Sequence, residues 1–119
     1  MVLHVNHPNE TRGDLKYAVA RLQQLGIVVL NQAVLLRGIN DASETLIDLS
    51  ESLFAIGILP YYLHLLDPVA GASHFDKDLT SAQTLFREMQ KKLPGYLVPR
   101  LVRDVPGEHA KVTIAPQNL

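Results

Sequence analysis

The sequence predicts an α/β fold in which parallel strands alternate with helices. Four short segments rich in β-branched or aliphatic residues have the character of strands: residues 2–6, 27–36, 58–66 and 96–102. Between them, three segments repeat apolar residues at every third or fourth position, as amphipathic helices do. The links between these segments are only a few residues long. The predicted order is therefore β-α-β-α-β-α-β, with parallel strands joined by right-handed crossovers.

The second predicted strand is the most apolar part of the chain. Residues 27–36 are nearly all apolar, which is typical of a strand covered on both faces. Asn31 and Gln32 are the exceptions, because each places a polar amide inside this run. A buried amide must find hydrogen-bond partners. From the residues alone, a satisfied core amide and a ligand contact are equally open interpretations.

The three predicted helices have apolar stripes and recognisable ends. The stripes consist of Leu15, Ala18 or Val19, Leu22 and Leu25; of Leu46, Leu49, Leu53 and Ile56; and of Ala82, Leu85 or Phe86, Met89 and Leu93. We expect Asp41 or Ser43 to cap the start of the second helix. Gly26 and Gly57 stand where the first two helices should end, and Pro94 with the following glycine should stop the third.

Composition excludes several classes of function. The 119 residues allow one domain, and 11 basic against 12 acidic residues give a net charge of −1. This balance argues against a nucleic-acid binder and against an anionic-membrane anchor. The sequence has no cysteine, which excludes disulfides, thiolate zinc sites and an iron–sulfur cluster ligated within this chain. No apolar run approaches a membrane span and no signal peptide is evident, so we expect a soluble cytoplasmic domain.

Polar residues cluster where the predicted strands end, which is where α/β folds place their functional groups. They include His4, Asn6, His7, Asn9 and Glu10; Arg37, Asn40 and Asp41; His64, Asp67, Ser73 and His74; and Arg103, Asp104 and Lys111. Composition cannot distinguish an open doubly wound sheet from part of a barrel. Because strand-like residues follow Met1 at once, we expect a barrel of which only a portion is present.

Several motifs together carry a family resemblance. They are residues 4–10 (HVNHPNE), 30–41 (LNQAVLLRGIND), 60–67 (PYYLHLLD), 71–75 (GASHF), 95–100 (GYLVPR) and 104–107 (DVPG), followed by Lys111. In this order and spacing, the chain resembles the lysine 2,3-aminomutases, which belong to the radical S-adenosylmethionine superfamily and also depend on pyridoxal phosphate. The sequence of residues 61–68 is most similar to that of the short branch, which makes β-lysine for modifying elongation factor P.

The resemblance implies a fold and a reaction. The fold would be the C-terminal portion of a partial (β/α) TIM-like barrel, with residues 1–119 forming one domain. Family members carry an upstream CxxxCxxC segment that binds a [4Fe–4S] cluster, and this chain lacks it. The family reaction is a radical shift of the α-amino group of L-lysine to the β-carbon, started by cleavage of S-adenosylmethionine.

The resemblance also assigns roles to individual residues. Lys111 lies where the family places the lysine that binds pyridoxal phosphate, and Asp67 and Asp104 match the two carboxylates that bind the ε-ammonium of substrate lysine. His4, Gln32 and Asn31 match positions that contact S-adenosylmethionine. No metal site is expected, because Ala42 stands where the longer branch has a zinc-ligating cysteine.

An incomplete barrel affects the expected activity and association of the chain. Without the cluster segment we expect no isomerase activity from these 119 residues, so whether this chain is itself an enzyme stays open. The alternative is a non-catalytic half-barrel that oligomerises or binds a small molecule. A weaker possibility is an open-sheet binding domain. An interrupted barrel would leave a strand edge and apolar faces unpaired, so we expect a homo-oligomer.

Overall fold

The computed structural model describes residues 1–65, 75–104 and 111–113, and the side chains of residues 1–65 and 79–103. Its strands and helices are β1 (Val2–Leu3), α1 (Leu15–Gln24), β2 (Leu30–Val34), α2 (Ser43–Ala55), β3 (Leu59–Leu65), α3 (Phe75–Lys92), β4 (Arg100–Asp104) and β5 (Lys111–Thr113). The predicted alternation of four strands and three helices is confirmed. A short fifth strand, β5, was not predicted.

The strand order distinguishes between the two architectures that the sequence left open. The sheet runs β1-β2-β3-β4-β5, the first three pairings are parallel and the last is antiparallel. Each successive parallel strand is added on the same side, and right-handed crossovers then place all three helices on one face of the sheet. A doubly wound sheet reverses direction instead. The fold is therefore α/β and consistent with part of a (β/α) barrel.

The core lies between this face and the helices. Its buried side chains include Val19 of α1, Leu46, Leu49 and Leu53 of α2, Ala82, Phe86 and Met89 of α3, and Ala33, Leu63 and Leu101 of the strands. The predicted stripes of α2 and α3 are thus confirmed. Leu25 departs from its stripe, being 70% exposed, because α1 ends at Gln24 and the chain turns at Gly26 (φ 78°).

The start of α2 differs from the prediction. Its first residue is Ser43, and Ala42 at the N-cap position makes no side-chain hydrogen bond. Asp41 does not cap the helix either, because its carboxylate accepts a hydrogen bond from the backbone N–H of Gly38 (3.0 Å). Gly57 follows the end of α2 with φ 93°, as expected for a residue that ends a helix.

Strand β2 is covered less completely than predicted. Asn31 and Ala33 are buried against the helices, whereas Leu30, Gln32 and Val34 are only half-buried. The ladder also includes only the middle of the predicted run, and Val28 is 65% exposed. The apolar run therefore reflects one buried face and one partly covered face. None of the described helices is long and apolar enough to cross a membrane.

Two prolines set the limits of regular pairing in β3 and β4. The pairing of β2 with β3 shifts by one residue after Asn31 and Pro60, so that Gln32 pairs with Tyr62 and Tyr61 bulges out. Proline has no N–H for the ladder and occurs in strands mainly at such irregularities. In the same way, residues 96–98 do not join β4 as predicted. A 3-10 turn at Gly95–Leu97 and then Pro99 precede the strand, which begins at Arg100.

Candidate functional site

The face of the sheet opposite the helices is here called the inner face. Its described side chains include Leu30, Gln32, Val34, Tyr62 and His64. Gln32 pairs with Tyr62, and Val34 with His64. Paired residues in adjacent strands share a face, so these four side chains form one surface. His64 is buried, and the other members of this set are half-buried. This set therefore holds one amide, one imidazole and one phenol, and Arg100, which pairs with Tyr62, adds a guanidinium on the same face.

Asn31 lies on the opposite face and has a structural role. It is 2% exposed, its Oδ1 accepts from the backbone N–H of Val5 (2.8 Å), and its Nδ2 donates to the Val5 carbonyl (2.9 Å). These bonds show that the interpretation of Asn31 as a satisfied core amide is correct. A contact between Asn31 and S-adenosylmethionine stays a prediction.

Two further asparagines organise the carboxyl ends of β1 and β2. The side chain of Asn6 accepts from the N–H of Val34 (2.9 Å). Asn40 is 1% exposed, and its Nδ2 donates to the carbonyls of Asn6 and Val34, both at 2.8 Å. Its Oδ1 accepts from the N–H of Leu36 (2.7 Å). The sequence placed both residues at strand ends but gave them no role. Their signal was the asparagine type itself, which favours local bonding to the backbone.

Gln32 and His64 are in direct contact on the inner face. The Oε1 of Gln32 lies 3.1 Å from the Nε2 of His64. The ring of Tyr62 lies edge-on to the imidazole, with 5.8 Å between the ring centroids. The rings of Tyr61 and Tyr62 are 4.1 Å apart and tilted by 31°. Sequence reasoning assigned a site role to Gln32 but missed its partner, since only the register of β2 with β3 brings the two together.

The predicted site residue His4 is exposed, and its side chain makes no hydrogen bond within the described part of the chain. Its motif continues into a 3-10 turn at Pro8–Thr11, where two side chains bind nearby backbone. The Nδ1 of His7 accepts from the N–H of Asn9 (3.1 Å), and Glu10 accepts from the N–H of Asn6 (3.1 Å). The conspicuous residues of this motif thus include local turn-forming groups.

Asp104 and Lys111 meet at the edge of the sheet. Asp104 ends β4, Lys111 begins β5, and the two are paired residues of the antiparallel ladder. Two positions before Asp104, Val102 pairs with His64. The backbone therefore brings two predicted site positions together, next to the strand that carries His64. Asp67, the third, lies outside the described residues.

A separate cavity of about 630 Å³ lies at the carboxyl ends of β2 and β3, beside α3. Leu65 and Leu35 contribute apolar walls, and Arg37, Asp41 and Thr80 contribute polar groups. Leu65 lies two positions after Leu63, which is in the helix-side core, so this cavity is on the helix side of the sheet. None of the six predicted site residues lines its described walls.

Comparison with known proteins gives a consistent result. No family model matches the chain. It is 45% identical over 114 residues to "L-lysine 2,3-aminomutase" of Escherichia coli (strain K12), covering 96% of this chain and 33% of that protein. It is 47% identical over 115 residues to the protein of the same name from Haemophilus influenzae, covering 97% and 34%.

A more distant relative shares the same name. "L-lysine 2,3-aminomutase" of Clostridium subterminale is 34% identical over 113 residues, which cover 95% of this chain and 27% of that protein. The chain thus spans about a third of the length of these first two curated relatives. Since identity at this level extends over almost all of its residues, the chain belongs to the lysine 2,3-aminomutase family.

Proposed function

We propose that this chain is part of a cytoplasmic L-lysine 2,3-aminomutase, which converts L-lysine to β-lysine. The observation that carries the proposal is the 45% identity over 96% of the chain to a protein of that name. The pairing of Asp104 with Lys111 adds support from the fold, because it brings a carboxylate position and an amine position together.

We further propose that the β-lysine serves to modify elongation factor P. The chain is more similar to shorter relatives, of which it covers 33–34%, than to a longer one, of which it covers 27%. This difference supports the short branch, to which the motif of residues 61–68 is also most similar.

Lys111 is the proposed attachment residue for pyridoxal phosphate. A primary amine, uncharged when it attacks, is the chemistry that such attachment needs, and lysine alone supplies it. When bound, this cofactor supplies an aldehyde that condenses with amines and a conjugated ring that delocalises electrons. The proposal is supported by the backbone pairing of residue 111 with residue 104, which lies two positions after the partner of His64 in β4.

Asp67 and Asp104 are the proposed partners of the ε-ammonium group of lysine. Two carboxylates around one ammonium balance its charge and fix the direction of the substrate chain, which an amide pair would do less strongly. His4, Gln32 and Asn31 are the proposed contacts of S-adenosylmethionine. Of these, Gln32 lies on the inner face, where its amide can donate to a ligand.

A first experiment tests the attachment residue. The 119-residue chain is incubated with pyridoxal phosphate, reduced with borohydride and mapped by peptide mass spectrometry. We expect the adduct to concentrate on Lys111 and the absorbance change to fall at least fivefold in Lys111→Ala. Lys92→Ala is the matched control, since Lys92 is an exposed lysine in the last turn of α3, and it should leave both readouts unchanged.

An even spread of the adduct over all lysines would contradict the role of Lys111. That outcome would favour the alternative, a non-catalytic half-barrel. A specific observation favours this alternative: none of the three described helices packs on the inner face, and Leu30, Gln32 and Val34 there are only half-buried.

A second experiment tests catalysis. A [4Fe–4S] cluster of this superfamily needs cysteine thiolates, and the 119 residues contain none. We therefore expect no β-lysine when the chain alone is incubated with lysine, S-adenosylmethionine, pyridoxal phosphate and a reductant. Detection of β-lysine by mass spectrometry, above a heat-treated control, would show that these residues are sufficient and would contradict the proposal.

A further inference from the structure

The contact between Gln32 and His64 has a defined hydrogen-bond direction. A carboxamide oxygen can only accept, so the bond of 3.1 Å between Gln32 Oε1 and His64 Nε2 requires a hydrogen on Nε2. A neutral imidazole carries a hydrogen on only one of its two nitrogens. The contact therefore selects the Nε2–H form of His64.

The surrounding structure holds His64 in a defined position, from which it can orient Gln32. The residue is 8% exposed, and its backbone lies in the middle of the sheet, paired with Val34 on one side and Val102 on the other. The ring of Tyr62 lies edge-on to the imidazole, a favourable geometry for two aromatic rings. The position and tautomer of His64 are thus set by β3 and its neighbours.

The two ends of the Gln32 carboxamide are chemically different, so fixing one end fixes the other. With Oε1 bound to His64, the NH₂ group is turned away from the imidazole. In the described part of the chain this NH₂ has no hydrogen-bond partner, and Gln32 is half-buried on the inner face. It therefore presents a directed donor there, whereas an unrestrained glutamine could present either its donor or its acceptor.

We propose that His64 is a positioning residue, which holds Gln32 so that its NH₂ donates to an acceptor atom of a ligand on the inner face. The ligand's identity rests on the proposed function, where it is S-adenosylmethionine. That molecule carries acceptors in its carboxylate, ribose and adenine. The orientation itself follows from the contact between the two residues and does not depend on which ligand binds.

The test is nitrogen NMR of the ¹⁵N-labelled chain. Long-range ¹H–¹⁵N spectra report the tautomer of His64, and the side-chain NH₂ signals of Gln32 are assigned by their loss in Gln32→Leu. We expect the Nε2–H tautomer and a distinct Gln32 NH₂ signal pair. A predominant Nδ1–H tautomer would overturn the inference, and this measurement needs no variant of His64.

Two variants of similar size separate positioning from packing. In His64→Gln, a side-chain NH₂ can replace the imidazole donor, so we expect the Gln32 NH₂ signals to stay near their wild-type positions. In His64→Met, of similar length but without a donor, we expect them to move to the shifts of a freely rotating glutamine. Equal displacement in both folded variants, or none in either, would overturn the positioning role.

Titration with S-adenosylmethionine then distinguishes the two proposals. A shift of the Gln32 NH₂ signals in wild type, with at least tenfold weaker binding in His64→Met than in His64→Gln, would support both. No shift on titration, with the Nε2–H tautomer present, would count against the contact assigned under the proposed function and leave the positioning of Gln32 established. Equal affinities in the two variants would overturn the positioning role.

Discussion

Asparagine side chains take the place of some backbone–backbone hydrogen bonds between neighbouring strands. A side-chain amide has one acceptor and one donor group, as a peptide unit does, so it can satisfy the backbone of a neighbouring strand. Asn31 does this for Val5, and Asn6 does it for the N–H of Val34. This explains why the predicted strand at residues 2–6 has ladder pairing only at Val2–Leu3, while its polar backbone groups still find partners.

A substitution at Asn31 tests this role. Asn31→Leu keeps the volume nearly constant but leaves both the N–H and the carbonyl of buried Val5 without their partners. Each such group costs about 1–3 kcal/mol, so we expect a loss of ~3 kcal/mol in the free energy of unfolding. Urea denaturation of wild type and variant measures it. Asn9→Leu is the control, since Asn9 is exposed, and a similar loss in both variants would contradict the structural role.

At the scale of elements, the sequence predicted the helices better than the strands. The ends of α2 and α3 depend on local signals, an apolar stripe followed by glycine or proline, and these are visible in the sequence. The limits of a strand depend on its neighbours. The ladder of β4 begins only after Pro99, and β5 exists because three residues pair antiparallel with β4. Neither fact can be derived from periodicity alone.

Gly57, just after α2, contacts Gln23 of α1, and a substitution at Gly57 tests this contact. Its φ of 93° is strained for residues with a Cβ, which costs about 1–2 kcal/mol. In addition, a Cβ there would overlap the side chain of Gln23, whose Nε2 donates to the Gly57 carbonyl (3.0 Å). We expect Gly57→Ala to lower the free energy of unfolding by at least ~1 kcal/mol more than Gly13→Ala, because Gly13 has a similar φ of 82° but no atom near its Cβ position.

Thermal or urea unfolding of the two alanine variants provides this comparison. The excess loss should shrink when Gly57→Ala is made in a Gln23→Ala background, since the overlapping carboxamide is then absent. If Gly57→Ala and Gly13→Ala cost the same, the contact between α1 and the end of α2 does not add to the backbone effect.

At the scale of the whole molecule, sequence reasoning predicted the class of fold and the family but only part of the site. The pairing of Asp104 with Lys111 brings together two residues that the resemblance singled out. The contact of Gln32 with His64 was not foreseen, because it depends on a register shift at Pro60. Residue types at strand ends predict where a site lies, whereas tertiary register decides which side chains touch.

The free edge of β1 favours association of whole chains. Within the described residues, β1 pairs with β2 on one side only, so its other edge has backbone groups available for pairing. Two apolar side chains at the start of this strand are exposed, with Met1 at 58% and Val2 at 41%. We therefore expect the chain to self-associate as its concentration rises, in sedimentation velocity experiments.

Val2→Lys should weaken this association, since charged residues protect strand edges, whereas Leu25→Lys, at an exposed position after α1, should not. A monomer at every concentration, or equal weakening by both substitutions, would show that the β1 edge does not mediate association.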